Sequence, residues 1–194
     1  TVEGEKSGHD IGKVTMIGEL VSLQISRKKR DIQKDPLRKI YRIASDKDKI
    51  TWELSIKNEE SILQKAKRII EDFKLEMKLS NVEFQGDNSK ATFYYTAEKR
   101  VDFRELIRAY SAQFGVRIEM RQIGARQEAA KIGGIGSCGR ELCCSTWMTE
   151  FPAVSTSAAR YQQLSINPQK ISGQCGRLKC CLNFELDGYT EALK

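Results

Sequence analysis

Between residues 62 and 73 apolar side chains recur at helical spacing: Ile62, Leu63, Ala66, Ile69, Ile70 and Phe73 fall on one stripe of period 3.6. Upstream, Ser45-Asp46-Lys47-Asp48 has the form of a capping box, with Ser45 as N-cap and Asp48 reaching back. A helix can therefore run from there through Ile50 and Leu54 to Glu59 and on into the stripe, as one long helix or two within 46–74. A helix that long has an exposed half able to present a partner surface. Leu75, Met77 and Leu79 then alternate with charge, and Val82 and Phe84 change face. The turn Gly86-Asp87-Asn88 leads into Ala91 to Thr96, which predicts a β-hairpin. Asp102 and Glu105 form a second capping box, with Val101 stapled to Leu106, before a helix burying Phe103, Leu106, Ile107, Tyr110 and Phe114. Val116, Ile118 and Met120 alternate with Arg117, Glu119 and Arg121 in a half-buried strand. The order helix, strand, strand, helix, strand predicts an α+β fold, an antiparallel unit with helices on one face. Its aromatics and methionines are core rather than a stacking platform.

The flanks are less regular. From Ile11 to Ile25 apolar residues alternate loosely around Gly18, which reads as two short strands and a turn; Leu37 to Ile43 reads as one more. Between them, Arg27-Lys28-Lys29-Arg30 opens a polar stretch to Pro36, read as a solvated loop or, more sharply, an RNA-contacting arm. His9 reads as a loop residue. The expected division is a small N-terminal β element over 1–43, the α+β core over 44–124, and a Cys-rich region over 125–194. In the last of these, Ala125 to Ile132 predicts a short helix ended by Gly133-Gly134, Ser155 to Leu164 a second, Asn167-Pro168 a turn, and the tail a further helix. The glycine-rich run from Lys131 to Ser137 lacks the G-K-[ST] ending of a phosphate loop, so its glycines serve close backbone approach instead.

The strongest chemical signal lies in this last region. All six cysteines fall into two copies of C-G-R-x-x-C-C: Cys138, Cys143 and Cys144, then Cys175, Cys180 and Cys181, 37 residues later. Four thiolates close a structural zinc site or hold an iron–sulfur cubane, and a thiolate is a soft ligand suited to both. The spacing C-x₄-C is wider than the usual zinc knuckle and fits a cluster at least as well as zinc. The adjacent cysteine leaves one thiol per loop for a second site, a partner or packing. Gly139 and Gly176 let the chain turn behind the first ligand. Arg140, Arg177 and Lys179 place positive charge beside the thiols, which lowers their pKa and offsets an anionic cluster. The region is therefore expected to be metal-stapled.

Composition narrows the alternatives. No run of apolar residues approaches membrane-spanning length and no signal-peptide pattern appears, which argues against both membrane insertion and secreted disulfides and favours a reducing, cytoplasmic setting. The start at Thr1 without methionine reads as a fragment of a longer protein. A catalytic thiol needs a base, and the only histidine, His9, is far away in sequence, so a catalytic thiol is not expected. Lysine and arginine outnumber acids 33 to 26. That surplus suits an anionic partner such as RNA, with Lys28, Lys29, Arg30, Arg117, Arg121 and Arg126 as candidate contacts. A zinc-stabilised RNA-binding module and a thiol-redox protein using the adjacent cysteines are the two rival readings.

Several phrases together resemble the bacterial YaaT/RicT family, which shares its C-terminal domain with yeast polymerase-suppressor proteins. They are Gly8 to Val14, Leu75 to Leu79, Phe93 to Glu98, Val101 to Leu106, Arg117 to Gly124 and, most closely, Gly133 to Arg140, Leu142 to Thr146 and Ile171 to Leu182. The departure lies in the 26–58 region, where Arg27–Pro36 and Trp52-Glu53-Leu54 follow no family phrase. The resemblance implies a non-enzymatic cytoplasmic regulator that works with small helical partner proteins of the RicA/RicF type in a complex carrying [4Fe-4S] clusters. It further implies support of RNA processing by ribonuclease Y, with effects on competence, biofilm formation and sporulation. It gives all six cysteines the ligand role as a set.

Overall fold

The computed structural model describes residues 1–4, 8–27 and 37–192; Lys28, Lys29 and Arg30 lie outside the described residues. The chain divides into two compact units, Thr1–Arg121 and Gln122–Lys194.

The first unit opens with two two-residue strands, β1 (Val2–Glu3) and β2 (His9–Asp10), paired antiparallel. The expected strand over 37–43 is an extended segment that bridges Val2 to Ile40, with Glu3 N–H donating to Lys39 O at 2.9 Å. The expected strands over 11–25 are replaced by helix α1 (Glu19–Arg27). Leu20, Val21, Leu23 and Ile25 satisfy either period, and Gly18, at φ 65°, opens the helix by accepting from Val21 N–H.

Helix α2 (Asp46–Asp72) is one continuous helix. Its capping box is formed as the sequence predicts: Ser45 Oγ accepts from Asp48 N–H, and Asp48 Oδ2 accepts from Ser45 N–H at 2.7 Å. Arg42 adds a second donor at 3.1 Å, and with Ser45 it holds the Asp48 carboxyl well below the usual carboxylate range. The helix buries Ser55, Leu63, Ala66 and Ile70 on one stripe, while Ile50, Leu54 and Ile56 in its first half stay exposed.

Strands β3 (Lys78–Phe84) and β4 (Lys90–Thr96) form the predicted hairpin, and the register shifts between Leu79 and Asn81. This bulge is where the apolar residues change face: Leu79 and Val82 are both buried although they differ in parity. Helix α3 (Arg104–Phe114) follows, then strand β5 (Arg117–Gln122), which completes a sheet of order β3-β4-β5. The sheet is mixed, not purely antiparallel. Arg117 N–H donates to Ser89 O, and Lys90 Nζ pairs with Glu119 at 3.1 Å, so the first residues of β4 and β5 lie side by side and the α3 crossover returns the chain parallel. The start of α3 also differs from expectation. Phe103 is its N-cap without a side-chain cap; Asp102 instead binds the Arg104 guanidinium and N–H, and Glu105 pairs with Arg108.

The core lies where α2 and α3 cover the sheet: Leu63, Ala66, Ile70, Leu79, Val82, Ala91, Phe93, Tyr95, Leu106 and Tyr110. Phe93, Tyr110 and Phe114 stack within 4.6 to 5.9 Å of one another. The Tyr110 hydroxyl, buried, donates to Ala66 O at 2.9 Å, which gives the ring's polar end a partner.

The N-terminal segment is fastened to this unit by two aspartates. Asp10 Oδ1 accepts from Gly86 N–H at 3.0 Å, and Asp87 Oδ2 accepts from His9 N–H at 3.0 Å. Burial alone would push the Asp87 carboxyl up. The hydrogen bonds from Ser89 and His9 outweigh it and hold the group below its ordinary value.

The second unit is helical: α4 (Ala125–Ile132), α5 (Cys143–Thr146), α6 (Thr156–Tyr161), α7 (Pro168–Ile171), α8 (Cys180–Phe184) and α9 (Leu186–Ala192). The predicted turn at Asn167-Pro168 is the start of α7, because Asn167 Oδ1 accepts from Gln169 N–H and proline sits where no N–H is needed. Its small core is Ala158, Ala159, Ile171 and Leu182, with Val154, Leu178 and Leu186 packed against it.

Candidate metal centre

The two cysteine phrases fold alike, bond for bond. In the first loop Gly136 N–H donates to Arg140 O at 2.8 Å, Gly139 N–H to Gly136 O at 2.9 Å, and Leu142 N–H to Gly134 O at 3.0 Å. In the second, Gly173 N–H donates to Arg177 O at 2.8 Å, Gly176 N–H to Gly173 O at 3.0 Å, and Lys179 N–H to Ile171 O at 2.9 Å. Each loop is closed by one bridge, Ile135 to Glu141 and Ser172 to Leu178. Gly139 and Gly176 sit at φ 78° and 72°, a left-handed turn that would cost a side-chain-bearing residue about 1–2 kcal/mol. The turn brings the first cysteine back over the loop: a Cβ on Gly136 would stand 3.4 Å from Cys138 Sγ, and one on Gly173 3.8 Å from Cys175 Sγ. The paired cysteines then open a short helix in each copy, α5 and α8.

All six cysteines are free thiols; Cys138 is exposed and the other five are half-buried. Burial pushes the thiols of Cys143, Cys144 and Cys181 up, and neighbouring thiols add to the effect across the loops. Cys143 and Cys144 each feel Cys180 most strongly among the thiols; Cys144 also feels Cys175, and Cys181 feels Cys180 and Cys143. Glu185 raises Cys143 and Cys181 further. The expected lowering by basic neighbours is thus overturned for these three. Arg140 and Arg177 are exposed and lend the loops their carbonyls, and the Lys179 ammonium donates to Lys170 O at 2.6 Å, leaving it a minor influence on Cys181.

The loops are joined by few side chains. Gln174 Nε2 donates to Ile135 O at 3.2 Å. Arg126, a sequence candidate for nucleic acid, donates Nη2 to Leu178 O at 2.9 Å and lies 6.0 Å from the Phe151 ring centre, so its guanidinium ties α4 to the second loop. Trp147 and Phe184 meet edge to face at 4.6 Å. Sequence reasoning missed this pair, although the two residues stand 37 apart, the same shift that relates the cysteine phrases.

The donor set of six thiols in two like loops suits a soft ion or a cluster. Among the described residues, no group of three or more histidine, cysteine, aspartate or glutamate side chains is drawn together tightly enough to hold a metal ion. Elsewhere, Arg117 is exposed on β5, and Arg121 lies 3.6 Å from Glu119. Among the described residues no helix is long and apolar enough to cross a membrane.

Comparison with known proteins places both units. Residues 38–123 match the family described as PSP1 C-terminal conserved region, and residues 153–194 match the PSP1-like protein, third domain. The chain is 49% identical over 157 residues to the stage 0 sporulation protein YaaT of Bacillus subtilis, an alignment covering 81% of this chain and 57% of that protein. It is 49% identical over 45 residues to the protein PSP1 of Saccharomyces cerevisiae, covering 23% of this chain and 5% of that one. An uncharacterized protein of Schizosaccharomyces pombe is 47% identical over 47 residues, covering 24% and 6%. The chain thus spans little more than half of the bacterial relative and a small part of the yeast ones. No solved structure matches.

Proposed function

On the premise that the chain belongs to the PSP1-like family and resembles a sporulation protein, we propose that it acts as a non-enzymatic regulator whose second unit carries a thiol-held metal group. In this reading the group is a [4Fe-4S] cluster, and the ligands come from Cys138, Cys143, Cys144, Cys175, Cys180 and Cys181. The protein works in the cytoplasm with small helical partners of the RicA/RicF type and supports RNA processing by ribonuclease Y. The first unit supplies a folded α+β body.

One observation carries the metal reading: two loops with matching hydrogen bonds present three thiols each, and the thiols of one loop feel those of the other. Free thiols so arranged repel when ionised, and a bound cation removes that repulsion.

The test is elemental analysis and a visible spectrum of protein purified without oxygen. Iron, acid-labile sulfide and brown absorbance support the cluster. Stoichiometric zinc without colour would replace it with a structural ion and move the weight to an RNA-binding module. Protein that takes up neither sinks the metal reading for the isolated chain.

A further inference from the structure

The small core of the second unit supports one cysteine loop and not the other. Ile171 and Leu182 are buried in it and Leu178 packs against it, so the second loop is anchored on both sides. The first loop has no such footing, because neither α4 nor α5 buries a residue. Its position rests on side-chain ties. Arg126 reaches Leu178 O from α4, Gln174 reaches Ile135 O, and the Trp147 ring meets Phe184 at the ends of the two cysteine-bearing helices. The last acts directly between α5 and α8, whose first residues are Cys143, Cys144, Cys180 and Cys181.

The ring pair has two features that core packing does not explain. Trp147 is 52% exposed and Phe184 56%, so neither ring fills the buried cluster. They also occupy equivalent places in the duplicated sequence, Trp147 four residues after Cys143 and Phe184 four after Cys180. A contact between equivalent positions of two like halves fixes both halves by one joint, as an isologous contact does between subunits. We infer that Trp147 and Phe184 form an aromatic pin that positions the thiols of the first loop against those of the second. They are positioning residues for the metal group, acting through the helices that carry the paired cysteines. The effect on metal affinity rests on the reading proposed above; the effect on the separation of the loops does not.

The experiment uses the full chain with Trp147→Ala, Trp147→Phe and Phe184→Leu, and cobalt(II) as the probe. In the parent, thiolate binding gives an intense charge-transfer absorbance. Loss of a residue that orients ligands from outside the coordination shell costs about 10- to 100-fold in metal affinity, and that is the drop expected for Trp147→Ala. Trp147→Phe restores an edge-to-face ring and is expected within a few-fold of the parent. Phe184→Leu keeps apolar bulk without the ring and is expected to fall with Trp147→Ala. A second readout needs no metal: with Cys144 and Cys180 kept and the other four cysteines changed to serine, a short bis-maleimide bridges the loops. Bridging yield is expected to drop several-fold with Trp147→Ala and to recover with Trp147→Phe. Equal affinity and equal bridging in parent and Trp147→Ala overturn the pin. Should the parent bind no cobalt, the metal reading fails while the bridging yields still decide the pin; bridging that survives Trp147→Ala then refutes it alone.

Discussion

Replacing Gly8 by alanine is expected to undo the fastening of the N-terminal segment, and the size of the effect follows from the geometry. Gly8 holds φ 72°, and an added Cβ would lie 2.0 Å from Asp87 Oδ2 and 2.7 Å from Gln85 Nε2. The backbone strain alone costs about 1–2 kcal/mol. The overlap then forces Asp87 away and breaks the bond it accepts from His9 N–H, a hydrogen bond to a charged group worth about 1.5–3 kcal/mol. The sum is about 2.5–5 kcal/mol, which is roughly two to three and a half decades in an opening equilibrium. Gly18 supplies the control: it holds φ 65° with nothing within 4 Å of an added Cβ, so Gly18→Ala carries only the strain. Amide hydrogen exchange at His9 and Gly86 reads the segment directly, because both N–H groups point at the clasp carboxylates. Gly8→Ala should lower protection there by at least tenfold more than Gly18→Ala does. Equal effects from the two would refute the argument, since the overlap is what separates them.

The same clasp has a pH dependence of known sign. The folded Asp87 carboxyl lies below its ordinary value of about 3.9, so its contribution is fully present above that pH and is lost as pH falls through the folded value. Protection of the His9 amide should decline in acid below about pH 4. Asp87→Asn should flatten that decline.

Three further outcomes are expected. Phe93→Ala, which removes a fully buried ring touching Tyr110 and Phe114, should cost about 3–5 kcal/mol in urea unfolding of the first unit. Tyr110→Phe leaves the ring and removes only the bond to Ala66 O, so the cost should be about 1 kcal/mol, read by thermal unfolding. Cys138→Ser or Cys175→Ser should abolish metal uptake by elemental analysis while the far-ultraviolet signal of the α+β unit persists; collapse of both units together would contradict their separation.

The periodic parts of the fold were legible because burial imposes a period on the sequence. The stripe from Ile62 to Ile70, the Ser45 cap and the hairpin all appear where expected, whereas Phe73, the helix's C-cap, is exposed; the change of face between Leu79 and Val82 falls at the bulge. Period fails where two structures share it: Leu20 to Ile25 alternates well enough for strands yet lies within the nine-residue helix α1, which leaves Leu20 and Leu23 exposed beyond the Gly18 turn. Strand direction leaves no mark on period either, so β5 was read antiparallel although a helix long enough for a parallel return precedes it. The clasp joins residues 76 to 78 positions apart through side-chain-to-backbone bonds, which neither spacing nor propensity encodes. At the cysteine loops the repeat was plain, but it extends past the thiols to Trp147 and Phe184.

The weakness of the second unit's own packing gives the proposed metal a physical reason. Among its described residues the buried core cluster holds four side chains, two of them alanines that bring little apolar area. The local hydrogen bonds shape each loop but do not set one loop against the other, and bonds exposed to water contribute little net stability. Small folds with so little core are held by disulfides, by metal or by oligomerisation. The thiols here are free, and those of the two loops already feel one another. Such a unit gains most from a ligand that binds both loops at once. Binding that requires both halves is linked to their docking, so if the proposed metal binds there, its affinity and the unit's stability should rise and fall together.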